Sequence, residues 1–101
     1  LAHGLGNLVA ENIEGFEGMD AHKVIKRLQR EAMIECDEFV FMVPGCGMVT
    51  QYVPRSLSFE SMSEEVFSEA YAQMCAHVVK QYWPTETTAR IAEMAELMTT
   101  A

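Results

Sequence analysis

Apolar residues recur at three- and four-residue steps from the start of the chain: Leu5, Leu8, Val9, Ile13 and Phe16, with Asn12 on the same face. That spacing predicts a helix. Gly4 and Gly6 weaken its start, no N-cap precedes it, and Gly15 and Gly18 end it. Asp20 is an N-cap for a second helix, with Met19 and Val24 placed as a hydrophobic staple. This helix is expected to run to about Ile34, with Ala21, Val24, Ile25, Leu28 and Ala32 inward. Its other face carries a basic stripe, Lys23, Lys26, Arg27 and Arg30, at i, i+3, i+4 and i+7.

The pattern then changes period. Phe39–Val43 and Met48–Val53 are short, rich in valine and aromatics, and joined by Pro44-Gly45-Cys46-Gly47, which reads as a β-hairpin. Phe39, Phe41 and Val43 share one face; Val40 and Met42 share the other, expected to meet helices or a neighbouring chain. Pro54 lacks the N–H a ladder needs and ends the second strand. Ser61-Met62-Ser63-Glu64 offers a capping box, and Glu64 and Glu65 suit the positive end of a helix dipole. The third helix places Val66, Phe67, Ala70, Tyr71, Met74 and Val78 on one face and is expected to end near Tyr82, before Trp83-Pro84. A fourth, capped by Thr85 or Thr87, turns Ile91, Met94, Ala95 and Met98 inward. The expected fold is therefore α+β, about four helices packed around a two-stranded antiparallel hairpin. A lone hairpin is marginally stable, so it must lie against helices or pair with another chain. A homodimer through the hairpin edge or the first helix is expected.

Composition narrows the class. The 101 residues fit one domain, and half are hydrophobic, which excludes a disordered chain. The longest apolar run, Phe39–Val43, is far short of the ~20 residues of a membrane span, so no membrane role is expected. Cys36, Cys46 and Cys75 are odd in number and have no Cys-x-x-Cys spacing, as in a reduced compartment.

Candidate chemistry is sparse. His3, His22 and His77 are scattered, and Cys75 and His77 would point about 200° apart on a helix, so neither metal nor cofactor is expected. Gly45-Cys46-Gly47 superficially resembles a nucleophile elbow, but a hairpin tip also needs glycine for positive φ. No phosphate-binding glycine-rich loop precedes a helix. A non-enzymatic protein is expected. The basic stripe is the best nucleic-acid candidate, since four cations on one face could meet phosphates. Glu11, Glu14, Glu17 and Asp20 on one side, and Glu31, Glu35, Asp37 and Glu38 on the other, would weaken its field or pair with it. A net charge of −8 favours basic partners.

One stretch carries a resemblance. Pro54-Arg55-Ser56-Leu57-Ser58-Phe59-Glu60-Ser61-Met62, followed by Phe67 and Tyr71, resembles the C-terminal part of a family of uncharacterised tailed-phage and prophage proteins. Their pattern is Pro-basic-Ser-aliphatic-Ser-Phe-x-x-Met, then a Phe and a Tyr four apart on an acidic helix. The likeness is loose over residues 20–80 and tight over 54–71. Pro54, Ser58, Phe59, Met62, Phe67 and Tyr71 read as an architectural corner of stops, caps and core side chains. Family members are longer at the N-terminus, where they carry a basic, aromatic segment. The resemblance implies the C-terminal domain of a phage-encoded accessory protein in the bacterial cytoplasm. It would act through protein contacts, in a setting of DNA replication or recombination. Two alternatives stand beside it: nucleic-acid binding through Lys23, Lys26, Arg27 and Arg30, or acidic inhibition of a host nucleic-acid-binding defence complex.

Overall fold

The computed structural model describes residues 2–57 and 62–100. Helix α1 (Ala2–Asn12) buries Gly4, Leu5, Gly6, Leu8 and Val9, and one of these glycines sets how closely the next helix approaches. A Cβ on Gly6 would lie 2.5 Å from the Ala21 carbonyl oxygen and 2.8 Å from its Cα. Both are backbone atoms that cannot swing aside, so a side chain here would force the helices apart. Past the end of α1, Ile13 and Phe16 remain buried through turns at Gly15 and Gly18, whose φ values are +98° and +79°. Asn12 departs from the expected apolar stripe: it is exposed, and its amide donates to the Leu8 carbonyl at 2.9 Å.

Helix α2 (Ala21–Ala32) is capped as its sequence indicates, with Asp20 Oδ1 accepting from the Lys23 N–H at 2.8 Å. It stops short of Ile34 because Met33 turns left-handed at φ 54°. Glu35 does the same at φ 48°, so the chain leaves the helix through two non-glycine residues in a sparsely occupied conformation. The inner face includes one residue that periodicity did not single out, the fully buried Gln29; Ala32 is only half-buried.

Strands β1 (Cys36–Val43) and β2 (Gly47–Pro54) pair antiparallel, with Cys36 opposite Pro54, Phe39 opposite Gln51 and Val43 opposite Gly47. The reversal is closed by the Cys46 N–H on the Val43 carbonyl at 3.0 Å. Pro44 and Gly45 (φ +86°) occupy its central positions, as a type II turn requires. β1 begins earlier than expected, at Cys36. Asp37 and Glu38 are tolerated in it because both side chains are exposed, with Asp37 paired to Arg55.

Helix α3 (Glu64–Gln81) is capped by Ser63, whose Oγ accepts from the Val66 N–H at 3.2 Å. This corrects the expected capping box, which put the cap at Ser61. Ser61, like Ser58 and Phe59 of the expected corner, lies outside the described residues. Pro54 ends β2, Met62 packs partly buried on the core, and Phe67 and Tyr71 are buried edge to face with centroids 6.3 Å apart. Helix α4 (Thr88–Thr100) takes Thr87 as its cap, through Oγ1 to the Arg90 N–H at 3.1 Å.

The core is helical. Leu5, Val9, Phe16, Leu28, Met74, Val78 and Ile91 are fully enclosed, and α1 packs against α2 and α4. The expected α+β fold, four helices and an antiparallel hairpin, is present. The helices gather beside the base of the hairpin rather than around it, with α2 the helix packed against β2. Among the described residues no helix is long and apolar enough to cross a membrane.

Gly6→Ala is expected to destabilise the fold by about 1–3 kcal/mol through overpacking against the Ala21 backbone. Chemical denaturation monitored by helical circular dichroism reads this; an unchanged midpoint would show that the two helices can separate freely.

Candidate interaction surface

A two-stranded hairpin does not hold itself against a domain, so its anchor decides its direction. That anchor is Gln29. Its buried Nε2 donates to the Arg55 carbonyl at 3.0 Å and the Ile34 carbonyl at 3.3 Å, gripping the chain just outside both strands. Lys26 Nζ reaches the same Arg55 carbonyl at 2.9 Å, and the Arg55 N–H bonds to the Glu35 carbonyl at 2.9 Å. The Arg55 guanidinium then pairs with Asp37 at 2.9 Å and Glu35 at 3.3 Å, closing the base from the solvent side. Periodicity had no means of finding Gln29, because it is a polar residue on an apolar face. Arg55 was visible only as the basic position of the Pro54–Met62 stretch.

Beyond this base the hairpin projects as an arm from a molecule 49 Å in its longest dimension. Of ten large hydrophobic side chains exposed among the described residues, seven lie on it: Phe39, Val40, Phe41, Met42, Met48, Tyr52 and Val53. Strand alternation and register place Phe39, Phe41, Val49 and Val53 on one face, and Val40, Met42, Met48 and Tyr52 on the other. Phe39 is 52 % exposed and Met42 65 %, so both faces are open. From Phe39 to Pro54 there is no charged residue. An exposed apolar stretch of this kind is a candidate contact surface.

The basic stripe is brought together but partly consumed. Lys23, Lys26, Arg27 and Arg30 line one shallow groove with Met19 and His22. Lys26 is committed to the hairpin base, where burial holds its ammonium below the usual lysine range. Arg27 lies 3.9 Å above the Phe16 ring, donates to the Gly15 carbonyl at 3.1 Å and pairs with Glu31 at 3.2 Å. These contacts fasten the α1–α2 turn. Lys23 and Arg30 are exposed.

Glu31 is the hub of a second cluster. It accepts from Arg27, from His77 Nε2 at 2.9 Å and from the Tyr82 hydroxyl, joining α2 to α3 and its C-cap. Tyr82 in turn packs edge-on to Phe16 at 5.1 Å. Burial alone would push the Glu31 carboxyl up, but the hydrogen bonds from His77, Tyr82 and Arg27 together outweigh it and hold the carboxyl below its ordinary value. Burial first, then the carboxylate of Glu31, pushes the Tyr82 phenol up.

The thiols are spread over the molecule. Cys75 is buried and pushed up to about 11 by desolvation. Burial also raises Cys36, against the opposing fields of Arg30, Lys26 and Arg55. Cys46 is exposed at the hairpin tip, whereas the imidazoles are carried by α1, α2 and α3. Cys75 and His77 diverge as helical geometry requires: Cys75 faces α4, in an apolar groove of about 600 Å³ that Phe67, Tyr71 and Ala92 also line. The Tyr71 hydroxyl beside this groove is buried next to the Cys75 thiol. Among the described residues no three His, Cys, Asp or Glu side chains converge as metal ligands.

No family model matches this chain, and neither does any curated protein or solved structure.

Gln29→Leu leaves the Ile34 carbonyl without its side-chain donor and is expected to cost about 1–3 kcal/mol. Amide exchange should rise in β1 and β2 more than in α3; equal protection in both would show that the anchor is elsewhere. Glu31 titrates lower when folded than when unfolded, so its ionised form stabilises the fold above its ordinary value of 4.5. That contribution is lost as pH falls through the folded value. Stability measured across this range should fall in the native protein and fall less steeply in Glu31→Gln.

Proposed function

We propose that this chain is a non-enzymatic accessory protein that works through protein contacts, with the hairpin arm as its contact element. One observation carries the reading: an anchored hairpin whose sixteen residues from Phe39 to Pro54 hold no charge and whose two faces are both apolar and exposed. Exposing such a surface is unfavourable in water and invites aggregation. A fold that nevertheless rigidly anchors the arm by Gln29, Lys26 and Arg55 is presenting it. The contact reading needs no reaction: the Glu31 cluster is accounted for as a tie between α2 and α3, and burial pushes the Cys75 thiol up, away from the reactive thiolate.

The biological setting rests on the resemblance of Pro54–Tyr71 to tailed-phage and prophage proteins. That resemblance supports a setting in the cytoplasm of a bacterial host, in phage DNA replication or recombination. Nucleic-acid binding is the lesser reading, because the fold itself uses Lys26 and Arg27.

The test is a pair of charge variants. Phe41→Asp combined with Met48→Asp puts a carboxylate on each face of the arm and should leave helical circular dichroism unchanged. Capture of a defined phage or host protein, identified by cross-linking and mass spectrometry, is expected to fall at least about tenfold, ~1.4 kcal/mol or more. If Lys23→Glu with Arg30→Glu abolishes function while the arm variant retains it, nucleic-acid binding replaces this reading.

A further inference from the structure

We propose that the arm's partner is a second copy of this chain, hairpin against hairpin. The inference rests on the reading of the hairpin as the contact element and names what it contacts.

The first argument is electrostatic. Each copy carries a net charge of −8, so two copies repel wherever their acidic surfaces meet. A two-fold contact brings each surface patch close to its own counterpart, and like charges placed opposite one another are destabilising. Self-association through a surface without charge avoids this repulsion, and residues 39–54 supply one. A basic partner would gain nothing from this segment and would be drawn to the carboxylates of the helical body. Neutrality of the arm favours a partner with the same charge as the protein itself.

The second argument is extent. One face carries Val40, Met42, Met48 and Tyr52, which each leave roughly half of a ~150–200 Å² surface open, about 350 Å² of apolar area per copy. A standard interface buries ~800 Å² per partner, and this face supplies its apolar centre, with strand backbone and the remaining side chains of the arm around it. The third is the sheet itself. Among the described residues it has two strands, so each strand keeps one edge without a neighbouring strand, the arrangement that pairs most readily with another chain. Dimerisation through α1, the other route expected, has less support, because Leu5, Leu8 and Val9 are already buried within the fold.

Sedimentation velocity on the full chain, from about 1 to about 100 µM, tests the assignment. A dimer is expected, and its dissociation constant should fall several-fold from about 20 mM to about 500 mM salt as repulsion between the acidic bodies is screened. Phe41→Glu with Met48→Glu should give a monomer with unchanged helical circular dichroism. Leu97→Glu, at an exposed position on α4, should dimerise like the parent. A monomer at every concentration overturns the proposal, as does a dimer that survives the arm charges or dissociates with added salt. A monomer whose arm binds a different protein overturns the second copy alone and leaves the contact reading standing. A dimer formed through the arm, with partner capture indifferent to charges there, does the reverse.

Discussion

The grip of the Gln29 carboxamide on the backbone entering and leaving the hairpin is the contact on which the rest of the architecture turns. Carbonyl groups at the edge of a core must be paired, because burying one without a partner costs about as much as a lost hydrogen bond. Gln29 meets that demand for Ile34 and Arg55 from a fully enclosed position on α2. Its location fixes where the strands leave the helical body, and the left-handed Met33 and Glu35 fix the direction. With the base held in this way, none of the remaining hairpin residues is needed for the core. They are free to face outward on both sides.

Charge is partitioned accordingly. Among the described residues the carboxylates lie on the helices, in the turns between them and at the hairpin base: Asp37 and Glu35 share Arg55 at the base, and Glu31 on α2 collects Arg27, His77 and Tyr82. The arm beyond is neutral. Half of the basic stripe serves the fold: Arg27 covers Phe16 and ties down the α1–α2 turn, and Lys26 supports Arg55. A row of cations on a helical wheel therefore looked more like a ligand surface than it is. The wheel records direction around one helix and not what packs against it.

Much of the fold was legible from residue order. Asp20 and Thr87 cap their helices, Gly15 and Gly18 break the chain at positive φ, and Pro44-Gly45 makes the turn. All of these depend on bonds or torsions within four residues. The failures were also physical. A serine two residues further on, Ser63, makes the α3 cap, because several hydroxyls in that segment could serve and neighbouring packing selects among them. Asn12 sat on the apolar face of the wheel, yet α1 ends there and its amide turns back to Leu8.

Sequence alone determined which segments become helices and strands, the caps of α2 and α4, the hairpin turn and the apolar character of the hairpin, because those properties arise from near neighbours and from periodicity. Only tertiary structure decided that the apolar strands remain outside the core. Strand alternation reads the same whether a helix covers a face or solvent does. The choice is made by contacts between distant residues: Gln29 with Arg55, 26 positions apart, and Gly6 against Ala21.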